Sequence, residues 1–115
     1  MVLDRQGGPN WFKNWCIAPV IVDPEQDEVY FTPLYDVMCH FSKFIRPGAT
    51  ILASDCADSA MMAVATENAD GTYVVVCFNP SETARTVHID GLDEDVRIVL
   101  EAQSLQTVVL TPNAI

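Results

Sequence analysis

Thr72-Tyr73-Val74-Val75-Val76-Cys77-Phe78 is apolar at alternate and at intervening positions. That pattern marks a strand covered on both faces. Breakers bound it: Asn68-Ala69-Asp70-Gly71 is a hairpin turn signal before it, and Asn79-Pro80-Ser81 turns the chain after it. Working outward, Thr50 to Ser54 and Ala60 to Glu67 read as strands upstream. Downstream, Thr83 to Asp90 sets Val87 and Ile89 on one side and Thr86 and His88 on the other, as in a half-exposed strand. Gly91-Leu92-Asp93-Glu94 is a turn, Val96 to Glu101 points Val96, Ile98 and Leu100 inward, and Leu105 to Leu110 is the last strand. About six short strands, with turn signals roughly every eight to twelve residues, predict an antiparallel β-sandwich over 49–115.

Upstream of Gly48 the period changes. Thr32-Pro33 is a helix start, with Thr as N-cap and Pro as first helical residue, and Asp36 follows where a negative charge meets the positive end of the dipole. Leu34, Val37, Met38, Phe41, Phe44 and Ile45 recur at three and four, predicting a helix over 32–45 with a wide buried stripe. His40 and Lys43 fall off that stripe and read as solvated. Arg46-Pro47-Gly48 stops the helix. Before it, Met1 to Asp4 is the tail of a strand, Ala18 to Asp23 is a short β-branched segment ended by Asp23-Pro24, and an acidic turn leads to Val29-Tyr30-Phe31. Residues 1–48 therefore read as strand, long loop and helix. One such β/α unit cannot bury a parallel strand alone. The fold class is mainly β: a sandwich preceded by a loop and one α-helix.

Composition narrows the function. Six basic residues against sixteen acidic ones leave a net charge of −10. Nucleic acid is disfavoured, because phosphate neutralisation needs clustered Lys and Arg, and so is an anionic membrane surface. No apolar run approaches the ~20 residues of a span. Met1 opens directly into strand-like Val2-Leu3 with no signal-peptide pattern, which suits a cytosolic protein or a piece of a longer chain. Cys16, Cys39, Cys56 and Cys77 are too scattered for a zinc site and favour free thiols over a disulfide, Cys77 as a small buried hydrophobe. No motif asks for a metal or other cofactor.

The stretch Gly7-Gly8-Pro9-Asn10-Trp11-Phe12-Lys13-Asn14-Trp15 has neither a strand nor a helix period and reads as a structured loop. Indole faces beside amide side chains suit sugar rings, whose C–H faces lie on aromatics while their hydroxyls bond amides. The plainer alternative is that Trp11 and Trp15 plug a core, and composition by itself favours it. Glu25 and Glu28 sit on an acidic turn without strand support, and are better read as solvated than as a catalytic pair.

Several strings match one family in order: Asp4-Arg5-Gln6-Gly7-Gly8-Pro9-Asn10-Trp11, Pro19-Val20-Ile21-Val22-Asp23, Tyr30-Phe31-Thr32-Pro33-Leu34-Tyr35 and His40-Phe41-Ser42-Lys43-Phe44-Ile45-Arg46-Pro47-Gly48. With Asp70-Gly71-Thr72-Tyr73-Val74-Val75-Val76 further on, the chain resembles the C-terminal region of glycoside hydrolase family 30, the family of glucosylceramidase. The resemblance implies a β/α barrel joined to a flanking β-sandwich, and retaining cleavage of β-glycosides by two glutamates on the fourth and seventh barrel strands. It implies that Met1 to Asp4 ends the eighth barrel strand, that 5–31 is its following loop, that the 32–45 helix is the eighth barrel helix, and that 49–115 is sandwich. Both glutamates would then lie upstream of Met1. Such barrels put their sites on the loops after the strands. Asn14 and Trp15 match positions near bound sugar, with Trp11 holding the loop.

Two other readings stand beside this one: a self-standing carbohydrate-binding sandwich with Trp11 and Trp15 as its platform, and a structural β domain with no ligand. The partner implied by the resemblance is a β-linked carbohydrate or glycolipid, and the compartment secreted, periplasmic or lysosomal. Strands that the family takes from the other end of the enzyme would leave open edges and an uncovered helix stripe here. Self-association or domain swapping is the expected result.

Overall fold

The computed structural model describes residues 1–9, 16–92 and 95–112. The chain divides into two compact units, Met1–Cys39 and His40–Ile115. In the first, β1 (Val2–Asp4), β2 (Val20–Asp23) and β3 (Glu28–Phe31) form one sheet in the order β1-β2-β3. The β1 and β2 strands run parallel, with Leu3 opposite Ile21, while β2 and β3 form a hairpin with Ile21 opposite Tyr30. The span 5–31 is thus more than a connecting loop, since its second half is a hairpin that extends the sheet begun by β1.

Asp23 makes that hairpin possible. Only 2% exposed, its Oδ1 accepts the backbone N–H groups of Glu25 and Gln26, at 3.1 and 3.3 Å. This Asx-type turn replaces the ladder bonds lost at Pro24. Asp27 then takes a left-handed φ of 54°, a conformation that Asp tolerates better than most residues, and β3 begins.

The helix α1 (Pro33–Ser42) is shorter than its pattern. Thr32 sits at the N-cap position, and its carbonyl accepts the Tyr35 N–H at 2.8 Å. Its hydroxyl turns backward, however, 2.9 Å from the Ala18 carbonyl, so it ties the helix entry to the approach to β2 instead of capping the first turn. The expected buried stripe is a correction: no helix residue is buried, and Leu34, Val37 and Met38 are 46%, 45% and 56% exposed. Cys39 and His40 are only half-buried, as are Phe41, Phe44 and Ile45.

In the second unit β4 (Thr50–Leu52), β5 (Met62–Glu67), β6 (Tyr73–Asn79) and β9 (Ser104–Leu110) form an antiparallel sheet in the order β4-β5-β6-β9. The hairpin β7 (Arg85–Ile89) and β8 (Val96–Leu100) forms the other layer. As its sequence predicts, β6 is central, with Val74 to Cys77 all buried. One face gives Val75 and Cys77 to the core with Leu100, packed by Ala63, Ala65, Val87, Ile89 and Ile98. Burial raises the pKa of the Cys77 thiol, keeping it protonated and unreactive at neutral pH. All four cysteines are free thiols.

The opposite face carries Val74 and Val76, and Thr107 lies opposite Val76 on β9. Here His40 departs from its solvated reading. The Thr107 hydroxyl donates to the His40 carbonyl at 3.0 Å, which leaves its oxygen to accept from Nδ1–H at 2.8 Å. The pair joins residue 40 to the sheet. Asn68 makes a second tie, its Nδ2 donating to the Phe44 carbonyl at 2.9 Å and its Oδ1 accepting the Arg46 N–H at 3.0 Å.

The hairpin turn at 68–72 forms as the sequence foretells. The Asn68 carbonyl accepts the Gly71 N–H, Gly71 takes φ 84°, and Asp70 Oδ1 accepts both the N–H and the hydroxyl of Thr72. Those bonds, the hydroxyl one first, hold the Asp70 carboxyl below its usual pKa. Leu100 is completely buried, whereas its neighbour Val99 is 53% exposed on the other side of β8. Leu100→Ala should cost about 2–5 kcal/mol in urea unfolding and Val99→Ala under about 1 kcal/mol. Equal costs would mean that the core does not lie between these layers.

Candidate functional site

The residues singled out for sugar contact, Trp11, Asn14 and Trp15, lie outside the described residues. What is described is the turn that leads into them. Asp4 Oδ1 accepts the N–H groups of Gln6 and Gly8 at 2.8 and 2.7 Å. The Asp4 carbonyl accepts the Gly7 N–H, and its own N–H donates to the Gly8 carbonyl. One carboxylate at the end of β1 thus folds the chain back on itself within five residues.

That geometry explains both glycines. Gly7 has φ 72°, where a side chain is strained. At Gly8 a Cβ would stand 2.8 Å from Asp4 Oδ2, so it would push aside the carboxylate that holds the turn. Both residues are buried, and the Gly8-Pro9 peptide is cis. The two glycines therefore let the chain fold back tightly at the C-terminal end of β1.

Beside this turn, Arg5 Nη1 donates to Asp23 Oδ2 at 3.1 Å. The arginine side chain is 59% exposed and the aspartate 2%, so the pair reaches from solvent into a buried carboxylate. Arg5, Ile21, Gln26 and Tyr30 line an open cleft of about 370 Å³. The Tyr30 hydroxyl donates to Glu28 Oε2, and this bond, with burial and the charge of Glu28 adding to it, raises the tyrosine pKa. Glu25 and Glu28 are both exposed on their turn, as read from sequence.

Sequence reasoning missed the cleft. Arg5, Gln26 and Tyr30 are separated by up to twenty-five positions and carry no common motif. The usable signal was Asp23: a carboxylate directly before Pro at a strand end, with an arginine just after the preceding strand.

Comparison with known proteins places this geometry. Residues 1–45 match the model of the glycosyl hydrolase family 30 TIM-barrel domain, and residues 48–108 match that of the glycosyl hydrolase family 30 beta sandwich domain. The chain belongs to glycosyl hydrolase family 30. It is similar to the lysosomal acid glucosylceramidase of Mus musculus, 39% identical over 84 residues, an alignment that takes in 70% of this chain and 16% of that protein. Among solved structures, SrfJ from Salmonella typhimurium superposes with a TM-score of 0.90 at 28% identity, over 97% of this chain and 25% of that one. An endo-β1,6-glucanase shares the fold, with a TM-score of 0.80 at 24% identity over 92% of this chain and 24% of the other. The chain thus spans about a sixth of the curated relative's length and a quarter of the solved structures.

The turn yields a direct test. Asp4→Ala should lower hydrogen-exchange protection of the residue 6 and residue 8 amides about tenfold, and Asp4→Asn, which keeps an acceptor oxygen, should retain most of it. Gly8→Ala should behave like Asp4→Ala. Unchanged protection in Asp4→Ala would remove the carboxylate from this role.

Proposed function

We propose that this chain is the C-terminal part of a retaining β-glycosidase resembling glucosylceramidase, acting in the intact enzyme on β-glucosides, glucosylceramide or related β-glycans. One observation carries the reading: consecutive stretches of the chain match the barrel and the sandwich domains of one family, meeting at Arg46-Pro47-Gly48. On this reading 1–48 is the last strand-loop-helix unit of the barrel and 49–115 the sandwich that buttresses it. The shaped turn at 4–8 supports a loop at the mouth of the substrate site. Asn14 and Trp15 contact sugar there, and Trp11 steadies the loop.

Retention needs two carboxyl groups about 5–5.5 Å apart on a rigid frame, one as nucleophile and one as acid/base. The glutamates nearest the loop, Glu25 and Glu28, are exposed on one turn, and Glu28 is engaged by Tyr30. The segment therefore serves substrate positioning and barrel support, and the catalytic pair belongs to other barrel strands. Incubated with glucosylceramide or a chromogenic β-glucoside, the chain by itself should show no turnover. Hydrolysis that persists through purification would overturn the inert-segment reading.

The uncovered apolar surface fits a part designed to be covered. Ile51, Met62, Val64 and Phe78 are exposed in the four-stranded sheet, as are Leu34, Val37 and Met38 on the helix. No helix among the described residues is long and apolar enough to cross a membrane. Without the rest of an enzyme to cover these faces, the chain associates with itself. Size-exclusion chromatography with light scattering should give a mass above the monomer that rises with concentration. A clean monomer at high concentration would count against it.

A further inference from the structure

The cleft formed by Arg5, Ile21, Gln26 and Tyr30 has no role in that reading. Its volume of about 370 Å³ falls at the lower end of the ~300–1,000 Å³ usual for small-molecule sites. Ile21 and Tyr30 lie directly opposite each other across β2 and β3, so their side chains rise from one face of the sheet. Ile21 is half-buried, and Tyr30 stands 41% exposed beside it with its far end tethered to Glu28. Arg5 commits one Nη1–H to Asp23 and keeps its other donors. Gln26 is fixed through its backbone N–H to Asp23, leaving its amide to offer both a donor and an acceptor. The cleft thus presents a restrained aromatic ring, flanked by an arginine fork and a carboxamide.

Charge decides the class of ligand. Asp23 already neutralises Arg5, and Glu25, Asp27 and Glu28 sit on the same turn, so an anion would meet repulsion. Among the described residues that line the cleft, none is a carboxylate that could hold a cation. What remains is a neutral, polyhydroxylated ring, with its C–H face on Tyr30 and its hydroxyls shared between Arg5 and Gln26. We propose that this cleft is a carbohydrate subsite separate from Asn14 and Trp15, taking one neutral sugar unit of a β-linked oligosaccharide or glycolipid headgroup. For the class of ligand, the proposal rests on the glycosidase reading above.

The test is an NMR titration of the isotopically labelled 115-residue chain with cellobiose and with gentiobiose. Saturable shifts are expected at Ile21, at Tyr30, and at the backbone and side-chain amides of Gln26. Tyr30→Ala should weaken the binding about tenfold, and Tyr30→Phe, which keeps the ring, should weaken it far less. Gln26→Ala, on an exposed turn, serves as the variant least able to disturb the sheet, and it too should weaken binding. Shifts confined to the indole N–H groups of Trp11 and Trp15 would overturn the subsite while leaving the glycosidase reading intact. Shifts at the cleft with silent indoles would uphold it. No shift at either place with tens of millimolar sugar would overturn it, and so would tighter binding of glucuronate than of the neutral sugars.

Discussion

The second unit depends on one carboxamide. Asn79, at the end of β6, is fully buried, and its Nδ2 donates to the carbonyls of Thr83 and Glu101, both at 2.9 Å. Its Oδ1 accepts the Ser81 N–H at 3.0 Å. The chain leaves the four-stranded sheet through 79–84 and returns from the β7-β8 hairpin through 101–103. Both crossings turn a carbonyl onto this buried amide, which left unpartnered would be a penalty of about 1–3 kcal/mol. A single side chain satisfies them together, and so fixes where one layer hands the chain to the other. Among the described residues no buried side-chain polar atom lacks a partner.

What the sequence makes legible is what is local. The double-sided apolar run of β6, the alternation of β7 and β8, and the Asn68-to-Gly71 turn each depend on neighbours a few positions away, and each stands as read. Departures arise where a side chain reaches across the fold. Thr32 looks like a helix cap, but the Ala18 carbonyl lies within reach of its hydroxyl. His40 falls off the apolar stripe, yet Thr107, sixty-seven positions away, draws it in. The stripe itself is a true helical period whose first half, Leu34 to Met38, stays exposed, because periodicity encodes the intention to bury a face and not the presence of a cover. The candidate site shows the same division: Gly-Gly-Pro announced a shaped turn, while the cleft needed three strands to assemble.

The first unit is built by carboxylates used as collectors of backbone N–H groups. Asp4 gathers those of Gln6 and Gly8, and Asp23 those of Glu25 and Gln26. Each stands at the last residue of a strand, and each turns the chain sharply where it leaves the sheet. Arg5 reaches from beside the first to the second, so the two turns share one electrostatic frame.

Asn68 ties together two segments that the sequence keeps well apart. Its amide bonds the carbonyl of Phe44 and the N–H of Arg46 while its own backbone closes the β5-β6 turn. Opening either segment breaks bonds of the same residue, so Asn68 couples the two. The end of the helical run and the tip of a hairpin more than twenty residues downstream form one cooperative opening unit. The seam between barrel-like and sandwich-like sequence is thereby clasped by one residue, so loosening it at either side loosens both.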